Sequence, residues 1–466
     1  MSNGAEFMRR ELMIRFVRAF DKDNMADELD QIAVQLRPKT GNSSRCCVYH
    51  DRAVIKYRLM ALLGISSEEE KDETKKLSEY FSELKIDPEE NNKRAAQPLT
   101  VCSAGCSGCP ESRYIVTGNC RGCFARPCQY NCPVGAISVF DQVSRIDYSK
   151  CIKCGKCAAV CPFNAIIKTT VPCEEACPVK AIKKNENGTA EIDFDKCIFC
   201  GKCFNACPFS AIMERSALFP VMTHLKDGVK MIAMVAPAAA TQFPGTIEQL
   251  FTAISKLGFD NIMEVALGAE LTTQNEAKEF KERMDKGEKL MTTSCCPSYI
   301  EFVNKHLPAF KKFVSDTPTP MAFAARLVKE KYPDVKTVFI GPCISKRVEA
   351  SRTPEVDYVL NFEELGAMLA GRNIDVISQK PWQLPRPAIA TARNFAKSCG
   401  VTQAVLTELM GANSDFKLKT KFMDGIDKKS LTMLKLYASG KIPVNFLEVM
   451  ACKGGCVNGP SSLTKK

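Results

Sequence analysis

Several features are scarce or missing in this chain of 466 residues, and each absence excludes a class of protein. It has three histidines, one tryptophan and no uninterrupted run of about 18 apolar residues, so no membrane span is expected. The opening residues lack the apolar segment of a signal peptide. Neither a G-x-G-x-x-G fingerprint after a strand nor a Walker loop occurs, so the sequence does not support binding of flavin, NAD or a nucleotide.

Cysteine is in excess, with 25 residues in a composition that is otherwise globular, at 45% apolar and 25% charged. Secreted disulfide scaffolds with so much cysteine are short. Thiolates bound to metal in a reducing cytoplasm are the better interpretation, and we expect a cytoplasmic protein. The formal net charge of +11 suggests, taken alone, a nucleic acid, an anionic membrane or an acidic partner protein.

The cysteines divide the chain into three predicted domains. Two of them lie in residues 1–98, seventeen in residues 99–215 and six in residues 216–466. We predict a helical N-terminal region of unknown role, a cysteine-rich middle domain and a separate C-terminal domain. In the first, FMRRELMIRFVRAF and DRAVIKYRLMALLG have the pattern of amphipathic helices. Cys46, Cys47 and His50 could bind a metal there, but a fourth ligand is lacking.

The middle domain contains two complete C-x2-C-x2-C-x3-C-P motifs. This is the spacing of bacterial ferredoxins, in which three cysteines hold one 4Fe–4S cluster and the fourth crosses to another. Zinc sites rarely need four cysteines so close together, and the proline after the last one fits the ferredoxin pattern. The motifs are Cys151, Cys154, Cys157 and Cys161, and Cys197, Cys200, Cys203 and Cys207.

The motifs lie in an internal repeat, in which residues 127–167 align with residues 172–212. Each copy begins with a half motif, C-x3-C-P. The crossing rule predicts three ligand sets: Cys120, Cys123, Cys128 and Cys161; Cys151, Cys154, Cys157 and Cys132; Cys197, Cys200, Cys203 and Cys177. A fourth cluster, with one cysteine to spare, would draw on Cys102, Cys106, Cys109, Cys173 and Cys207. We therefore predict three to four accessory clusters.

The C-terminal domain repeats a different pattern, a short apolar stretch that runs into a loop rich in Gly, Pro or Cys. The stretches indicate buried strands of an open α/β sheet, whose ligands gather at the carboxyl ends of its strands. Cys296, Cys343, Cys452 and Cys456 could thus converge on one site. The adjacent residues Cys295 and Cys296 cannot easily bind the same cluster, so one of the two is available for another role. The alternative to an active site is a buried 4Fe–4S cluster that only stabilises the fold or transfers electrons and catalyses no reaction.

Three loops of this domain resemble the signature loops of iron–iron (FeFe) hydrogenases. They are TSCCPSY (293–299), GPCISKRVE (341–349) and EVMACKGGCVNG (448–459), and the resemblance covers essentially all of residues 99–466. It implies a multidomain α/β and α+β fold with a helical N-terminal region, a bacterial-ferredoxin-like domain and a two-lobed α/β domain around an H-cluster. In that cofactor, a 4Fe–4S cluster is joined to a diiron unit with CO, cyanide and azadithiolate. The implied ligands are Cys296, Cys343, Cys452 and Cys456, with Cys456 as the bridge.

The resemblance also implies roles for residues around the cofactor. Lys346 matches the partner of one cyanide, since an ammonium beside an anionic ligand makes a charge-assisted bond. Ala236, Pro237 and Ala238 match the loop against the other cyanide, and Met450 matches a residue packed near the cluster. The implied proton relay begins at Cys295, whose thiol can lose and regain a proton. It continues through Glu276, Ser315 and Glu279.

Several loop positions depart from the best-known members of the family. Ser298 and Tyr299 stand where those have Gly and Trp, Gly341 where they have Met, Met321 where they have Gln, and Lys453 where they have Pro. The departures resemble the ferredoxin-dependent branch often called group B. The departing residues lie next to the ligands and do not bind the metal themselves. Such residues tune the reactivity and the potential of a metal site.

The leading prediction is an anaerobic, cytoplasmic ferredoxin hydrogenase that reversibly reduces protons to H2. Its implied partners are ferredoxin or a similar small electron carrier and the hydrogenase maturation proteins. The alternatives are a non-catalytic iron–sulfur assembly protein that resembles hydrogenases and a redox sensor. Each all-cysteine 4Fe–4S site carries a charge of about −2, so the basic chain compensates its own clusters, and nucleic acid is not an expected partner.

Overall fold

A computed structural model describes residues 4–22, 24–40, 47–106, 109, 111–411 and 418–464. They form two compact units. The larger unit comprises Met1–Cys106 and Cys177–Lys466, and the smaller unit is Ser107–Ala176. These units differ from the three domains of the sequence analysis, because the N-terminal region and part of the cysteine-rich segment belong to the larger one. The three-domain division stays a prediction. Within the described residues, no helix is long and apolar enough to cross a membrane.

The N-terminal region is helical, as predicted. Its helices are α1 (Gly4–Phe20), α2 (Met25–Leu36), α3 (Val48–Leu62), α4 (Leu77–Glu83) and α5 (Pro88–Ala96). Leu12, Phe16 and Val17 of α1 are buried because their spacing places them on one helix face. At the start of α5, the Asp87 carboxylate accepts hydrogen bonds from the backbone N–H groups of two residues in the first turn.

The cysteine-rich segment consists of short strands and single-turn helices. The strands are β1 (Leu99–Val101), β2 (Arg113–Val116), β3 (Ile137–Phe140), β4 (Val143–Ile146), β5 (Ile166–Thr169), β6 (Ile182–Lys184), β7 (Ala190–Ile192) and β8 (Ile212–Glu214). The helices are α6 (Pro127–Tyr130), α7 (Lys156–Ala159), α8 (Pro172–Ala176) and α9 (Lys202–Ala206).

These strands build the same antiparallel pattern twice. In the smaller unit β2 pairs with β5 and β3 with β4, and in the larger unit β1 pairs with β8 and β6 with β7. The second copy therefore begins at β1, before the first copy in sequence, and is completed only after the chain returns from the smaller unit. Sequence alignment of the repeat did not reveal this interruption, because β1 lies outside the aligned region.

The C-terminal half contains two parallel sheets, which confirms the two-lobed α/β prediction. The strands are β9 (Met231–Val235), β10 (Asn261–Glu264), β11 (Met291–Thr292), β12 (Lys336–Ile340), β13 (Tyr358–Leu360), β14 (Thr420–Asp424) and β15 (Phe446–Met450). One sheet has the order β10-β9-β12-β13 and the other the order β11-β15-β14.

Helices surround both sheets. They are α10 (Leu218–Lys226), α11 (Ile247–Ser255), α12 (Val265–Asp285), α13 (Pro297–His306), α14 (Pro320–Lys331), α15 (Ser345–Ala350), α16 (Phe362–Gly371), α17 (Ala390–Arg393), α18 (Gly400–Gly411) and α19 (Ser430–Ala438). Each sheet lies in its own hydrophobic core.

The N-terminal helices share one core with the four-stranded sheet. Helix α1 lies on α16 so closely that a Cβ atom added at Gly371 would be 2.6 Å from Val17 Cγ1. Arg9 and Arg10 of α1 both pair with the buried carboxylate of Glu363, at N–O distances of 2.6 and 3.0 Å. The N-terminal region is therefore an integral part of the larger unit.

Replacement of Phe16 tests this shared core. Phe16 is fully buried, and Phe16→Ala should lower the free energy of unfolding of the larger unit by about 3–5 kcal/mol, through lost burial and a cavity. Phe7 lies on the same helix with 69% of its surface exposed, so Phe7→Ala is the matched control and should change little. Thermal denaturation of both variants measures the difference. Equal, small shifts of the two midpoints would contradict a shared core.

Candidate iron–sulfur and active site

The loops predicted to bind the C-terminal cofactor follow the carboxyl ends of four parallel strands. Strands β9 and β12 end side by side, with Val235 opposite Ile340. In the other sheet β11 ends at Thr292 and β15 at Met450, two residues before Cys452. Because the carboxyl ends of parallel strands share an edge, the loops that follow meet at one place.

A pocket lies between these loops and is called the central pocket below. All four predicted ligand cysteines line it. It is also lined by the other predicted contacts of the cofactor, which are Ala236, Pro237, Ala238, Cys295, Lys346 and Met450. Residues from the beginning and the end of the C-terminal domain therefore line the same pocket.

The four ligand candidates are buried thiols that influence one another. Burial, followed by the charge of neighbouring cysteines, raises the pKa of Cys456 to about 12 and lifts those of Cys343 and Cys452 above the ordinary range. Burial also raises the pKa of Cys296. Ionising these thiols is thus unfavourable unless a cation compensates the negative charge, and bound iron would be that cation. The donors fit an iron–sulfur cluster. Within the described residues, no three His, Cys, Asp or Glu side chains form a site for a single metal ion.

Lys346 places an ammonium group at the wall of the pocket. Its Nζ donates to Glu349 Oε2 at 2.6 Å and to Thr319 Oγ1 at 3.3 Å. Burial would lower the pKa of Lys346, but the adjacent Glu349 carboxylate outweighs it and the pKa is raised. Lys346 is therefore charged and fixed in place. Sequence reasoning did not single out Glu349 or Thr319; the i, i+3 spacing of Lys346 and Glu349 on α15 was the available signal.

Cys295 and Glu276 form the inner part of the predicted proton relay. Burial, and then the charge of Glu276, raises the pKa of the Cys295 thiol well above its usual value. Glu276 on α12 is fully buried, and burial raises its pKa to about 8. Its Oε1 accepts a hydrogen bond from the Ser294 backbone N–H at 3.2 Å, and its Oε2 has no hydrogen-bond partner among the described residues. Both groups are therefore protonated near neutral pH.

Glu279 and Ser315 form the outer part. The Glu279 carboxylate accepts from Ser315 Oγ at 2.6 Å, from Thr317 Oγ1 at 2.7 Å and from the Asp316 N–H at 2.9 Å. Burial would raise the pKa of Glu279, but these hydrogen bonds and Arg283 lower it. Ser294 Oγ donates to the Thr317 carbonyl at 2.6 Å, which links the two parts.

The relay residues thus lie together, in an order that leads from the pocket towards solvent. Arg283 pairs with Glu279 at 2.7 Å and with Asp316 at 3.1 Å, and the Asp316 side chain is exposed. Sequence reasoning missed Arg283, although its i, i+4 spacing from Glu279 on a helix was a signal for an ion pair.

Each C-x3-C-P segment of the cysteine-rich region has the same local geometry. The last cysteine accepts a hydrogen bond to its sulfur from the N–H of the residue four positions later, at 3.2–3.4 Å. The residue before that donor has a positive φ of 47–58°, which turns the N–H towards the sulfur. Such N–H donors stabilise thiolates. The cysteines are Cys132, Cys161, Cys177 and Cys207, and the left-handed residues are Gly135, Asn164, Lys180 and Ser210.

The structure brings together several of the predicted ligand sets. In the larger unit, Cys177 interacts electrostatically with Cys197, Cys200 and Cys203. In the smaller unit, Cys132, Cys151 and Cys157 share one buried cluster, which also includes Cys128, and Cys154 interacts with Cys157. Cys120 and Cys128 both contact Ser144. The exact partition stays a prediction.

The remaining cysteines occupy different environments. Cys102 and Cys207 lie on either side of Ala211: the Cys102 N–H donates to the Ala211 carbonyl at 2.8 Å, and the Ala211 N–H donates to Cys207 Sγ. Cys106 is one turn beyond Cys102, and Cys106 Sγ accepts from the Ala190 N–H at 3.1 Å. In the smaller unit Cys173 is buried and Cys109 half-buried, while Cys123 in the Cys120 loop is half-buried. Cys46 lies outside the described residues.

One ferredoxin-type cysteine reaches the central pocket. Cys200 lines the pocket and interacts electrostatically with Cys452. The neighbouring Gly201 has a φ of +71°, and a Cβ there would lie 2.5 Å from Pro460. Glycine therefore permits a close approach between this loop and the end of the C-terminal domain.

Comparison with known proteins identifies the family. Residues 229–460 match the family described as iron-only hydrogenase large subunit, C-terminal domain. The periplasmic [Fe] hydrogenase large subunit of Nitratidesulfovibrio vulgaris is 32% identical over 372 residues, which are 68% of this chain and 85% of that protein. The chain belongs to the iron-only hydrogenase family. Residues 144–167 also match a 4Fe-4S binding domain, and residues 167–218 an LdpA Fe-S cluster-binding domain.

Two more distant relatives carry different names. Iron hydrogenase 1 of Clostridium pasteurianum is 26% identical over 255 residues, 45% of this chain and 44% of that protein. A probable cytosolic Fe-S cluster assembly factor of Aedes aegypti is 24% identical over 268 residues, 46% of this chain and 56% of that protein. The match thus spans about half the length of each of these two relatives.

The structure explains two of the positions where this hydrogenase-family chain departs from the best-known members. A Cβ at Gly341 would lie 2.6 Å from the ring of Phe339, so the ring fills the space that a methionine would take. Tyr299 is fully buried, and its hydroxyl forms a hydrogen bond with Thr292 Oγ1 at 2.7 Å. Met321 is also fully buried and lines the central pocket. The structure does not explain Lys453.

The contact at Gly341 yields a testable prediction. Gly341→Ala should lower the free energy of unfolding by about 1–3 kcal/mol, because the added methyl overlaps Phe339 in a packed core. Gly366→Ala is the matched control in the same unit, since its Cβ would be 3.7 Å from Leu463 in ordinary contact. The thermal midpoints of both variants measure the effect. A Gly341→Ala midpoint as high as that of Gly366→Ala would show that Phe339 moves aside freely.

Proposed function

We propose that this protein is a ferredoxin hydrogenase that reversibly reduces protons to H2. The observation that carries the proposal is the central pocket, where four buried cysteines, the Lys346 ammonium and the Cys295 thiol meet. A bare electron-transfer cluster needs only the four cysteines. A positioned cation and a fifth thiol, next to a buried carboxyl group, support chemistry at the site.

The residues of the pocket fit the H-cluster. Cys296, Cys343, Cys452 and Cys456 would hold it, with Cys456 bridging its 4Fe–4S cluster and its diiron unit. Lys346 and the loop Ala236–Ala238 would face its cyanides, and Met450 would pack beside it. When bound, the diiron unit, with its CO, cyanide and azadithiolate ligands, supplies the centre at which protons and electrons combine.

The chain itself supplies protons in a graded order. Cys295 holds its proton strongly because it is buried, and Glu276, with a pKa of about 8, is protonated near neutral pH. A proton lost from Cys295 is replaced from Glu276, and Glu276 is recharged from the side of Ser315 and Glu279. Hydrogen bonds from Ser315, Asp316 and Thr317, together with Arg283, lower the pKa of Glu279 and keep it ionised, so this outer group holds a proton from solvent only briefly.

Electrons would reach the pocket through three to four accessory 4Fe–4S clusters. Cys200 supports this route, because it belongs to a ferredoxin motif and also lines the central pocket. Assembly of the diiron unit would require hydrogenase maturation proteins. We place the enzyme in the cytoplasm of an anaerobe, in the group B-like branch.

A small acidic electron carrier such as ferredoxin is the proposed partner, and the smaller unit offers a matching surface. Cys154 is exposed there, beside Ile152, which has 61% of its surface exposed. Lys153 and Lys156 flank this cysteine and are also exposed. An apolar patch with basic residues around an exposed cluster ligand suits a transient, electrostatically guided contact.

The second candidate is a non-catalytic iron–sulfur assembly or redox-sensing protein, favoured by several distant relatives that are named cytosolic Fe-S cluster assembly factors. Such a protein needs neither a proton relay nor a diiron unit. The connected path from Cys295 to Asp316 therefore supports the enzyme.

Infrared spectroscopy of protein matured with the diiron unit tests the function. We expect CO and cyanide stretching bands and H2 evolution from a chemically reduced dye. Cys295→Ala should keep the bands and lose most of the H2 evolution, because the proton source next to the cofactor is gone. Cys399 lies outside the central pocket, and Cys399→Ala is the control that should retain activity. Maturation without such bands would refute the hydrogenase and favour the assembly protein.

Lysine substitutions test the electron partner. Lys153→Gln with Lys156→Gln should slow electron transfer from reduced ferredoxin several-fold at low ionic strength and leave dye-driven H2 evolution unchanged. Lys421→Gln with Lys429→Gln, at exposed positions of the larger unit, is the control of equal charge. Stopped-flow rates with ferredoxin measure the effect. Equal rates for both double variants would exclude this surface as the entry point.

A further inference from the structure

One face of α3 packs against Cys102, and its Arg58 interacts electrostatically with Cys102 and Cys207. Together with Cys106, these cysteines form a sulfur group in the larger unit. Val54 and Ala61 pack against Cys102 in a small buried cluster. His50 Nε2 forms a hydrogen bond with the Ala104 carbonyl at 3.0 Å, between Cys102 and Cys106. These positions and Arg58 recur at intervals of three and four residues, so they share one side of the helix.

Among the positions just named on α3, Arg58 alone carries a full positive charge, and its guanidinium lies near the cysteine sulfurs. Its Nη2 donates to the Phe209 carbonyl at 2.8 Å, next to the left-handed turn after Cys207. The guanidinium interacts electrostatically with both Cys102 and Cys207. Its Nε is buried and has no hydrogen-bond partner among the described residues. A buried, unsatisfied donor beside sulfurs fits a site that holds an anionic group.

We infer that α3 is an electrostatic lid on an accessory 4Fe–4S cluster whose ligands include Cys102, Cys106 and Cys207, and that Arg58 raises the reduction potential of that cluster. The inference assigns a role to the N-terminal region, for which the sequence alone predicted none. The inference rests on the proposed accessory clusters and is independent of H2 chemistry.

The direction follows from charge. Reduction by one electron makes a 4Fe–4S cluster more negative, so a nearby fixed cation stabilises the reduced form more than the oxidised form. The effect is strong because Cys102 is fully buried and α3 excludes water from this side. Two other cations interact with Arg58, and each is paired with a buried carboxylate: Arg9 of α1 with Glu363, and Arg37 with Asp51.

A redox titration followed by EPR tests the role of Arg58. Protein would be purified anaerobically with its accessory clusters, but without the diiron unit, and titrated with dithionite and mediators. Cys102→Ser identifies the signal of this cluster by its disappearance. In Arg58→Gln that signal should move to a more negative potential, while Arg58→Lys, which keeps the charge, should move it less. Arg52→Gln is the matched control on α3, since Arg52 bonds instead to the Arg37 carbonyl, and it should not move the signal.

Each other outcome is decisive. The inference is wrong if Cys102→Ser removes no signal, if Arg58→Gln leaves the potential unchanged, or if Arg52→Gln shifts it as much. Loss of the signal in both Arg58 variants would show that Arg58 acts through its bond to Phe209 and not through its charge. Loss in Arg58→Gln alone would support the need for a cation. The titrated sample carries no diiron unit. If the infrared test refuted the hydrogenase function, the measured effect of Arg58 on the cluster potential would therefore still stand.

Discussion

Buried cysteine sulfur is the constraint on which the rest of this structure depends. The chain removes many thiols from water, and burial there raises their pKa values, so the ionised form needed to bind iron is costly. Two devices offset the cost. Backbone N–H groups point at sulfurs in the repeated C-x3-C-P segments, and cationic side chains such as Lys346 and Arg58 stand next to them. Iron supplies the largest part of the compensation when it binds.

The two halves of the cofactor machinery meet because of strand direction. Parallel sheets gather loops from distant parts of the sequence at one edge, so Cys296 and Cys456 line the same pocket. A ferredoxin motif then reaches that pocket through Cys200, where Gly201 permits the close approach. The proposed routes for electrons and for protons thus approach the pocket from different elements, with α12 carrying the proposed proton path.

The structure shows where part of the net charge of +11 is located. Basic residues are paired with buried carboxylates, as Arg9 and Arg10 are with Glu363, or face sulfur, as Arg58 does. A share of the positive charge therefore compensates anionic groups inside the protein. Exposed lysines, such as those around Cys154, are available to the proposed partner.

Ligand spacing is a local property, so the sequence by itself determined the ferredoxin motifs, the family and the cysteines that surround the central pocket. The helices of the N-terminal region were predictable for the same reason, because their apolar periodicity is local. Only the tertiary structure decided that these helices belong to the larger unit, that β1 completes a repeat interrupted by the smaller unit, and that Arg283, Glu349 and Arg58 flank the sites. Those facts depend on contacts between residues far apart in the chain, and such contacts are set by packing and charge, which spacing does not encode.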